Sequence, residues 1–585
     1  MHPAGLRRTL LPLLLLANLA APAGAVEIWE IQGAANSSPY AGQVVTTTGN
    51  VVTAVGPQGF FIQTPLSRSD NDPTTSDGIY VYTGSMPAVA AGDVVDVTGR
   101  VSEYHALTEI GSSPQVTKRS SGSQTPPPVE LGPDRPSPFR LQPENEMERY
   151  EGMLVHVAGG TVTGPTDQVG KIALVAHEGR TFREPGIEFP GLPGLPVWDG
   201  NPEVFTAKLD ALGGVVVDVP AGAHVEELEG PLAEYDGSYE VWPTSFSFTG
   251  TPQGRAVRPH AAGELTVATQ NLYQLFDDVK DGTETVVSSE VYARRLAKHS
   301  RLVREVLGAP DVLAVQEAES LKVLTDLAAR IAQDDNAVRY AGYLMPGNDP
   351  SGINVGLLVR DTVNVSTVHQ FGKDLTFSYN GTTYTTFDRP PLVLEGSYRA
   401  GPAAFPFTVV AVHMRSLSGI DGSNAGFVRA KRLEGAIRLA EEIQAMQSRN
   451  RDLRLSVAGD FNAFEFTDGF VDVLGEVKGA PDPAGALLPA TDLVEPDLAD
   501  QALTLPPSER YSFVEGGNAQ VLDHILTSQT LAGYVRDVEM GRGNADAPAG
   551  SAADPTTALR ASDHDGMVLY LETVHRPRRV LERIP

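Results

Sequence analysis

The chain has 585 residues, with 45 lysines and arginines against 73 aspartates and glutamates, a net charge of -28. That length points to roughly two to four domains. The charge excludes a broadly basic nucleic-acid surface but not a site whose local sign a bound cation reverses. The absence of cysteine excludes disulfide partners, thiolate metal sites and cysteine nucleophiles.

Residues 1–25 read as a secretory signal. Arg7 and Arg8 precede an apolar run from Leu10 to Leu16, broken only by Pro12, and Ala23-Gly24-Ala25 is a small-residue cleavage site. The run is too short for a hydrocarbon layer of ~30 Å, and no later stretch is long enough. The expectation is a secreted or periplasmic protein without a membrane span, beginning at Val26 after processing.

From 26 to 111 short strands alternate with Gly and Pro turns: 43–52, 59–63, 78–82 and 93–101. This predicts a small all-β barrel. Asp70, Asp72 and Asp77 share a loop, but Thr74 interrupts a calcium-loop spacing, so the loop reads as solvated. Residues 112–142, rich in Ser, Pro, Gly and Gln, read as a linker. A second β region, 143–250, echoes the first: Ala91-Gly92-Asp93-Val94-Val95 leads to Tyr104 much as Ala221-Gly222-Ala223-His224-Val225 leads to Tyr235. This suggests a degenerate repeat, with His224 at the surface.

From Glu264 strands alternate with helices. Strands are expected at 265–269, 312–315, 353–359, 408–412, 521–526 and 567–571. Tyr292, Leu296, Val303 and Val306 recur at helical spacing before Gly308, with His299 on the same stripe as a core histidine. Leu321, Leu324, Ala328 and Ile331 mark a second helix, and Leu433, Ile437, Ala440 and Ile443 a third. Residues 541–559 read as a surface insertion, and the tail 574–585, with Arg576, Arg578, Arg579 and Arg583, as a solvated basic end.

Polar residues gather where these strands stop. Leu453, Leu455 and Val457 alternate into Gly459-Asp460-Phe461-Asn462, where Gly459 would permit a tight turn. Asp460 and Asn462 would share one side if the strand stayed extended, or would cap their own backbone as an Asx turn. Asn271, Glu317, His413, Asp523 beside His524, and Asp563 with His564 lie at other strand ends. An α/β scaffold holds polar groups rigidly at such positions. Carboxylates, amides and imidazoles without thiols suit a hard cation: Mg²⁺, with Mn²⁺ or Ca²⁺ as alternatives.

Taken together, Thr269-Gln270-Asn271-Leu272, Val315-Gln316-Glu317, Arg389-Pro390-Pro391, Val412-His413-Met414-Arg415-Ser416, Gly459-Asp460-Phe461-Asn462, Leu522-Asp523-His524 and Ser562-Asp563-His564 resemble the endonuclease/exonuclease/phosphatase superfamily, the fold of DNase I. The resemblance covers 264–573. It implies a four-layer α/β sandwich that cleaves phosphoesters with a divalent metal. Glu317 and Asp563 would be metal ligands, with Asn271 close by at the metal and substrate. Asp460 and Asn462 would position water and phosphate. Asp523 would orient His564, His413 would lie near the scissile phosphate, and Arg389 would contact phosphate. The chain departs from the family pattern at Asp565-Gly566, where a proline is frequent, and at Val412, where asparagine is common. The preceding β region resembles the OB-fold modules of secreted nucleases in this superfamily, with Phe61, Tyr80 and Tyr82 as base-stacking candidates. The implied activity is that of a monomeric nuclease acting on DNA or RNA. A same-fold hydrolase of another phosphoester (sphingomyelinase-like or inositol phosphatase-like) and a non-catalytic binding protein stand as alternatives.

Overall fold

Runs of Val, Ile and Thr bounded by Gly turns form the strands β1 (Val44–Gly56), β2 (Gly59–Gln63), β3 (Gly78–Tyr82), β4 (Val94–Tyr104) and β5 (Leu107–Ser120). They close a barrel in the order β1-β2-β3-β5-β4. In this computed structural model, residues 24–140, 146–280, 282, 285–399 and 404–574 are described; the apolar run of the signal segment and the four tail arginines lie outside them. The barrel is filled by Val45, Val52, Phe60, Ile62, Ile79, Val81, Val95, Val97 and Ile110, against which Ile28 and Ile31 of a short helix pack. Each such side chain contributes about 1.5–3 kcal/mol when buried. The closing strand β5 runs into residues expected to be a linker, and a further short strand occupies Val129–Leu131. Phe61 and Tyr80 are cross-strand partners with rings 4.8 Å apart and are buried. Of the three stacking candidates only Tyr82, 39% exposed, faces solvent.

The chain divides into two compact units. The barrel, with Met147–Leu154 and Pro231–Gly237, forms one. Within it Glu151 is fully buried. One of its oxygens accepts from Gln32 Nε2 and the Thr108 amide, both at 3.1 Å. Its carboxylate comes within 4.8 Å of those of Glu148 and Glu234. Burial, and then the neighbouring Glu148 charge, hold Glu151 well above the usual carboxylate range. A raised acid favours the folded state at low pH, and that contribution is lost as pH rises through the folded-state value. Glu151→Gln keeps the acceptor oxygen and removes the buried charge. The variant is therefore expected to melt higher than the parent at pH 8 and to match it at pH 4, by scanning calorimetry of the full chain. An unchanged difference across that range would refute the assignment.

The other unit holds Glu130–Glu146, Val155–Gly230 and everything from Ser238. Its centre is two six-stranded sheets. In the first, Glu264–Leu275 lies parallel to Val312–Ala318 and antiparallel to Gly566–Glu572. In the second, Ala404–His413 lies parallel to Leu455–Asp460, which pairs antiparallel with Asp523–Thr527. Period-two alternation sends Leu265, Val267, Val409 and Ala411 into the core between the sheets. Val410, Val412 and Val457 meet Leu439 and Ile443 of the helix Ala425–Arg449 on one outer face. Ala268 and Leu313 meet Tyr292 and Leu327 of the helices Ser289–Arg301 and Leu321–Asp334 on the other. The layers are helix, sheet, sheet, helix, the four-layer α/β sandwich. Gly459 serves a different purpose from the expected turn. It sits within a strand, where a Cβ would lie 2.0 Å from the Val412 carbonyl oxygen; glycine lets the central strands approach.

The second β region is an eight-stranded sheet rather than a repeat of the closed barrel. Its residues Val155–Gly230 and those from Ser238 belong to the same compact unit as the sandwich. Arg180 pairs with Asp546 at 2.7 Å and stacks over Tyr511. Asn201 Nδ2 donates to Asn518 Oδ1 at 2.6 Å, and the Arg183 amide to the Ala519 carbonyl at 2.9 Å. The sequence placed a catalytic boundary at 264, but these contacts cross it. A fragment 264–574 is expected to melt ~5–10 °C below a fragment 130–574, because it loses several buried polar pairs of about 1 kcal/mol or more each. Equal melting would restore the boundary at 264.

Candidate active site

Parallel strands of one sheet end on the same edge, and antiparallel partners begin there. That rule brings the polar strand ends together. His413 is opposite Asp460 in register, and Asp460 is opposite Asp523. Across the sandwich Asn271 is opposite Gln316, one residue before Glu317. Asn271 joins the two sheets: its Nδ2 donates to Glu317 Oε1 and to Asp460 Oδ2, both at 3.1 Å. Its Oδ1 accepts from the Tyr273 amide at 2.8 Å, so the amide serves to space two carboxylates.

Asp460 does two jobs. Oδ1 accepts from the Asn462 amide at 2.8 Å, the Asx turn, and Oδ2 faces Asn271 and lies 3.6 Å from His413 Nε2. Asn462 has left the extended path, with φ +47°, and its Nδ2 donates to the Met414 carbonyl. Glu317, Tyr273 and Gln274 are also left-handed, at φ +60°, +51° and +51°. Four strained non-glycine residues around one site cost about 1–3 kcal/mol each and persist only where the surroundings impose them. Arg295 supplies part of that imposition by donating to the carbonyls of Leu272, Tyr273 and Gln274. The Gln274 amide in turn donates to Glu317 Oε2 at 2.9 Å.

His564 Nδ1 lies 2.7 Å from Asp523 Oδ2. Burial opposes a charged imidazole there, but Asp523 overrides it, with Asp563 and Asp460 adding, so His564 sits well above its ordinary value. His413 is the reverse: burial, then the charges of Arg389 and His564, push it well below. Burial is also the first cause at Asp460, which is pushed up to about 7 while His564 opposes the shift. Burial raises Glu317, against its bond from Asn271 and with help from Asp563. Thus the site offers one cationic imidazole, one neutral imidazole and one carboxyl that titrates near neutrality.

Glu317 and Asp563 are the partly exposed carboxylates of the group. Two acids acting on each other, with no thiol near, form an oxygen-donor pair suited to a hard divalent cation that retains its own waters. Arg389 has a different place from the one expected. It pairs with Asp349 at 2.6 Å and donates to the carbonyls of His413 and Met414, so it braces the end of the His413 strand. His524 is structural: both ring nitrogens are bonded, to Asp500 and the Ala463 carbonyl.

Sequence reasoning missed several supports. Asn544, in the stretch read as a surface insertion, is buried, donates to the His564 carbonyl and accepts from the Ser562 amide. Asp565 accepts from the amides of Gly543, Asn544 and Ala545 and pairs with Arg542. It ties down the loop where the family often carries proline. Ser512 Oγ accepts from the amides of Leu522 and Asp523. The Ser-Asp-His-Asp run could have flagged Asp565, whereas nothing local marks Ser512. His299 is a buried core residue, as expected.

A double-sheet sandwich with carboxylates, an amide bridge and an Asp–His pair at one edge defines the DNase I-like class. The chain belongs to the Endonuclease/Exonuclease/phosphatase family, whose model matches residues 268–564. Members of that family are usually hydrolases of phosphoesters and generally use divalent metals. Among solved structures, the endonuclease/exonuclease/phosphatase from Bacteroides vulgatus is 16% identical, over 53% of this chain and 98% of that one, with a TM-score of 0.34. TDP2 from C. elegans is 13% identical over 54% and 76%, with a TM-score of 0.32. The human Nocturnin catalytic domain with bound sulfate is 14% identical over 54% and 98%, with a TM-score of 0.32. No curated protein matches the chain.

Proposed function

We propose that the chain is an exported, metal-dependent phosphodiesterase that hydrolyses nucleic acid. The observation that carries the reading is the Asn271 bridge between Glu317 and Asp460, with the Asp523–His564 pair bearing on the same carboxylate. A divalent cation, Mg²⁺ in this reading, held by Glu317 and Asp563 would neutralise phosphate charge and lower the pKa of water beside it. Asp460, titrating near neutrality, takes the proton of the attacking water as its oxygen bonds to phosphorus and the P–O bond to the leaving strand end breaks, the leaving oxygen taking a proton from solvent. The His564 imidazolium, fixed by Asp523, holds a non-bridging phosphate oxygen. His413, neutral and buried, borders the phosphate, and Arg389 keeps it there. Asn462 orients the water through the turn it makes with Asp460.

The five-stranded barrel has the strand count of an OB-fold, a frame that binds oligonucleotides, and Tyr82 is its exposed aromatic among those considered. Purified protein is to be tested on plasmid, linear DNA, RNA, sphingomyelin and a phosphomonoester, with and without chelator. Metal-dependent cleavage of DNA or RNA is the expected result. Turnover of sphingomyelin or the monoester alone would replace the nuclease reading.

A further inference from the structure

Four cationic side chains surround one cavity of ≈ 270 Å³ beside the candidate site. The helix Ser289–Arg301 contributes Arg294, Arg295 and Lys298, and Arg560 enters from the loop that leads to Asp563. In a chain of net charge -28, the buried Arg389 and Arg432 pair with Asp349 and Asp468. Around this cavity, among the described residues, the cations are held by carbonyls rather than by close ion pairs. The acids that act on them, Asp554 on Lys298 and Glu317 and Asp563 on Arg295, do so at longer range. Arg295 donates to three backbone carbonyls, and Lys298 to those of Ser551, Asp554 and Thr557. Arg560 donates to the Asn544 carbonyl at 3.0 Å. The Nε of Arg294 is buried and has no hydrogen-bond partner among the described residues.

Carbonyls satisfy donors without cancelling charge, so the cavity wall keeps four cations, and the Arg294 Nε is a guanidinium donor without a partner among the described residues. Arg560 is held in a left-handed conformation, φ +54°, which positions it at the cost of strain. It also lines a second cavity, ≈ 340 Å³, bounded by Asp563 and Phe513. Phe513 packs its ring 4.8 Å from that of His564. The cation cluster and the catalytic group therefore meet at one residue. Arg295 gives a second link, since the turn it braces carries the Gln274 amide bonded to Glu317.

We propose that this cavity binds a second phosphate group of the substrate, separate from the one that reacts, with Arg294 and Arg560 as its contacts. Planar guanidinium donors match phosphate oxygens in charge and geometry. The proposal rests on the phosphodiesterase reading for its substrate, but not for its anion. An internal phosphate of the strand and a terminal phosphate share this chemistry.

The test scans single neutral methylphosphonates along an oligonucleotide cleaved by the full chain with Mg²⁺. Loss of one charged contact is expected to raise KM about tenfold at one position away from the cut, with kcat within about twofold. Arg560→Gln and Arg294→Gln are expected to raise KM for the unmodified strand by a similar factor and to abolish the response at that position. A terminal phosphate would instead show as a difference between 5′-phosphorylated and 5′-hydroxyl strands, with the internal scan flat. A second arm titrates inorganic phosphate into the wild type and both variants by calorimetry in EDTA, where binding weaker by about tenfold in the variants is expected. If no oligonucleotide is cleaved, the nuclease reading fails and the calorimetry alone judges the cavity. Phosphate binding equal in wild type and variants, or a scan and end-group comparison that both leave KM unmoved, overturns the proposal.

Discussion

His564→Ala is expected to lower kcat/KM by ~10²–10⁴-fold, the range for a positioned acid–base or charge-stabilising group, while leaving the fold intact. His564 is joined to the protein through its Nδ1 bond to Asp523 and through main-chain bonds that alanine keeps. Asp523→Asn is expected to cost a comparable factor for a different reason: the imidazole stays, but the charge that holds it protonated is gone. The two losses should not add, because they remove one function. The pH profile separates this role from a structural one. In the proposed mechanism, activity needs Asp460 unprotonated and His564 protonated. It should therefore fall on the acid side as Asp460 gains its proton, at about 7 in the metal-free site and lower once a cation is present. On the alkaline side it should fall as His564 loses its proton, above the ordinary histidine range. In Asp523→Asn the alkaline limb should move to lower pH. Variants that retain full rate, or an alkaline limb unmoved by Asp523→Asn, would remove His564 from the mechanism.

Most of this constellation was legible because strand ends are local. Apolar runs at 265–269 and 408–412 and alternation at 453–457 mark the strands and where each stops, so Asn271, His413 and Asp460 could be placed at strand ends from the sequence. What could not be placed were contacts between residues distant in the chain whose partners are themselves ordinary. Arg389 reads as a phosphate contact until Asp349, 40 positions away, is seen to share its guanidinium. Residues 541–559 have the composition of an exposed insertion, yet Asn544 and Ala545 are 1% exposed, because Asp565 draws their amides inward. The closing strand Leu107–Ser120 was lost to the same bias, since Gly, Ser and Pro in its middle mimic a linker and only pairing with Val94–Tyr104 makes it a strand. The basic cavity had no sequence signal either. Arg294, Arg295 and Lys298 share one helix, but Arg560 lies more than 250 residues further on, and the overall charge points the other way.

Removal of divalent cations is expected to abolish activity, and their binding is expected to release protons. Burial raises Glu317, and Asp563 beside it raises it further. Burial likewise pushes Asp460 up to about 7. At pH 6 the metal-free site therefore carries protons that a cation must displace, from Glu317 because only the ionised carboxylate is a ligand, and from Asp460 because the nearby positive charge lowers its pKa. The sign follows: apparent Mg²⁺ affinity should rise with pH through neutrality, and the number of protons released per ion should fall toward zero by about pH 9. Calorimetric titration at pH 6, 7.5 and 9, each in two buffers of different ionisation enthalpy, measures both. Glu317→Gln keeps the size of the side chain and its acceptor oxygen for Asn271 while removing a charged ligand. It should weaken Mg²⁺ by at least ~10-fold, reduce the protons released and lower the rate together with the affinity. Added Mn²⁺, bound more tightly by oxygen and nitrogen donors, should recover part of that rate. Full activity in excess EDTA, or Mg²⁺ binding with neither proton release nor pH dependence, would show that the paired carboxylates at the ends of Val312–Ala318 and the 562–565 loop hold no catalytic cation.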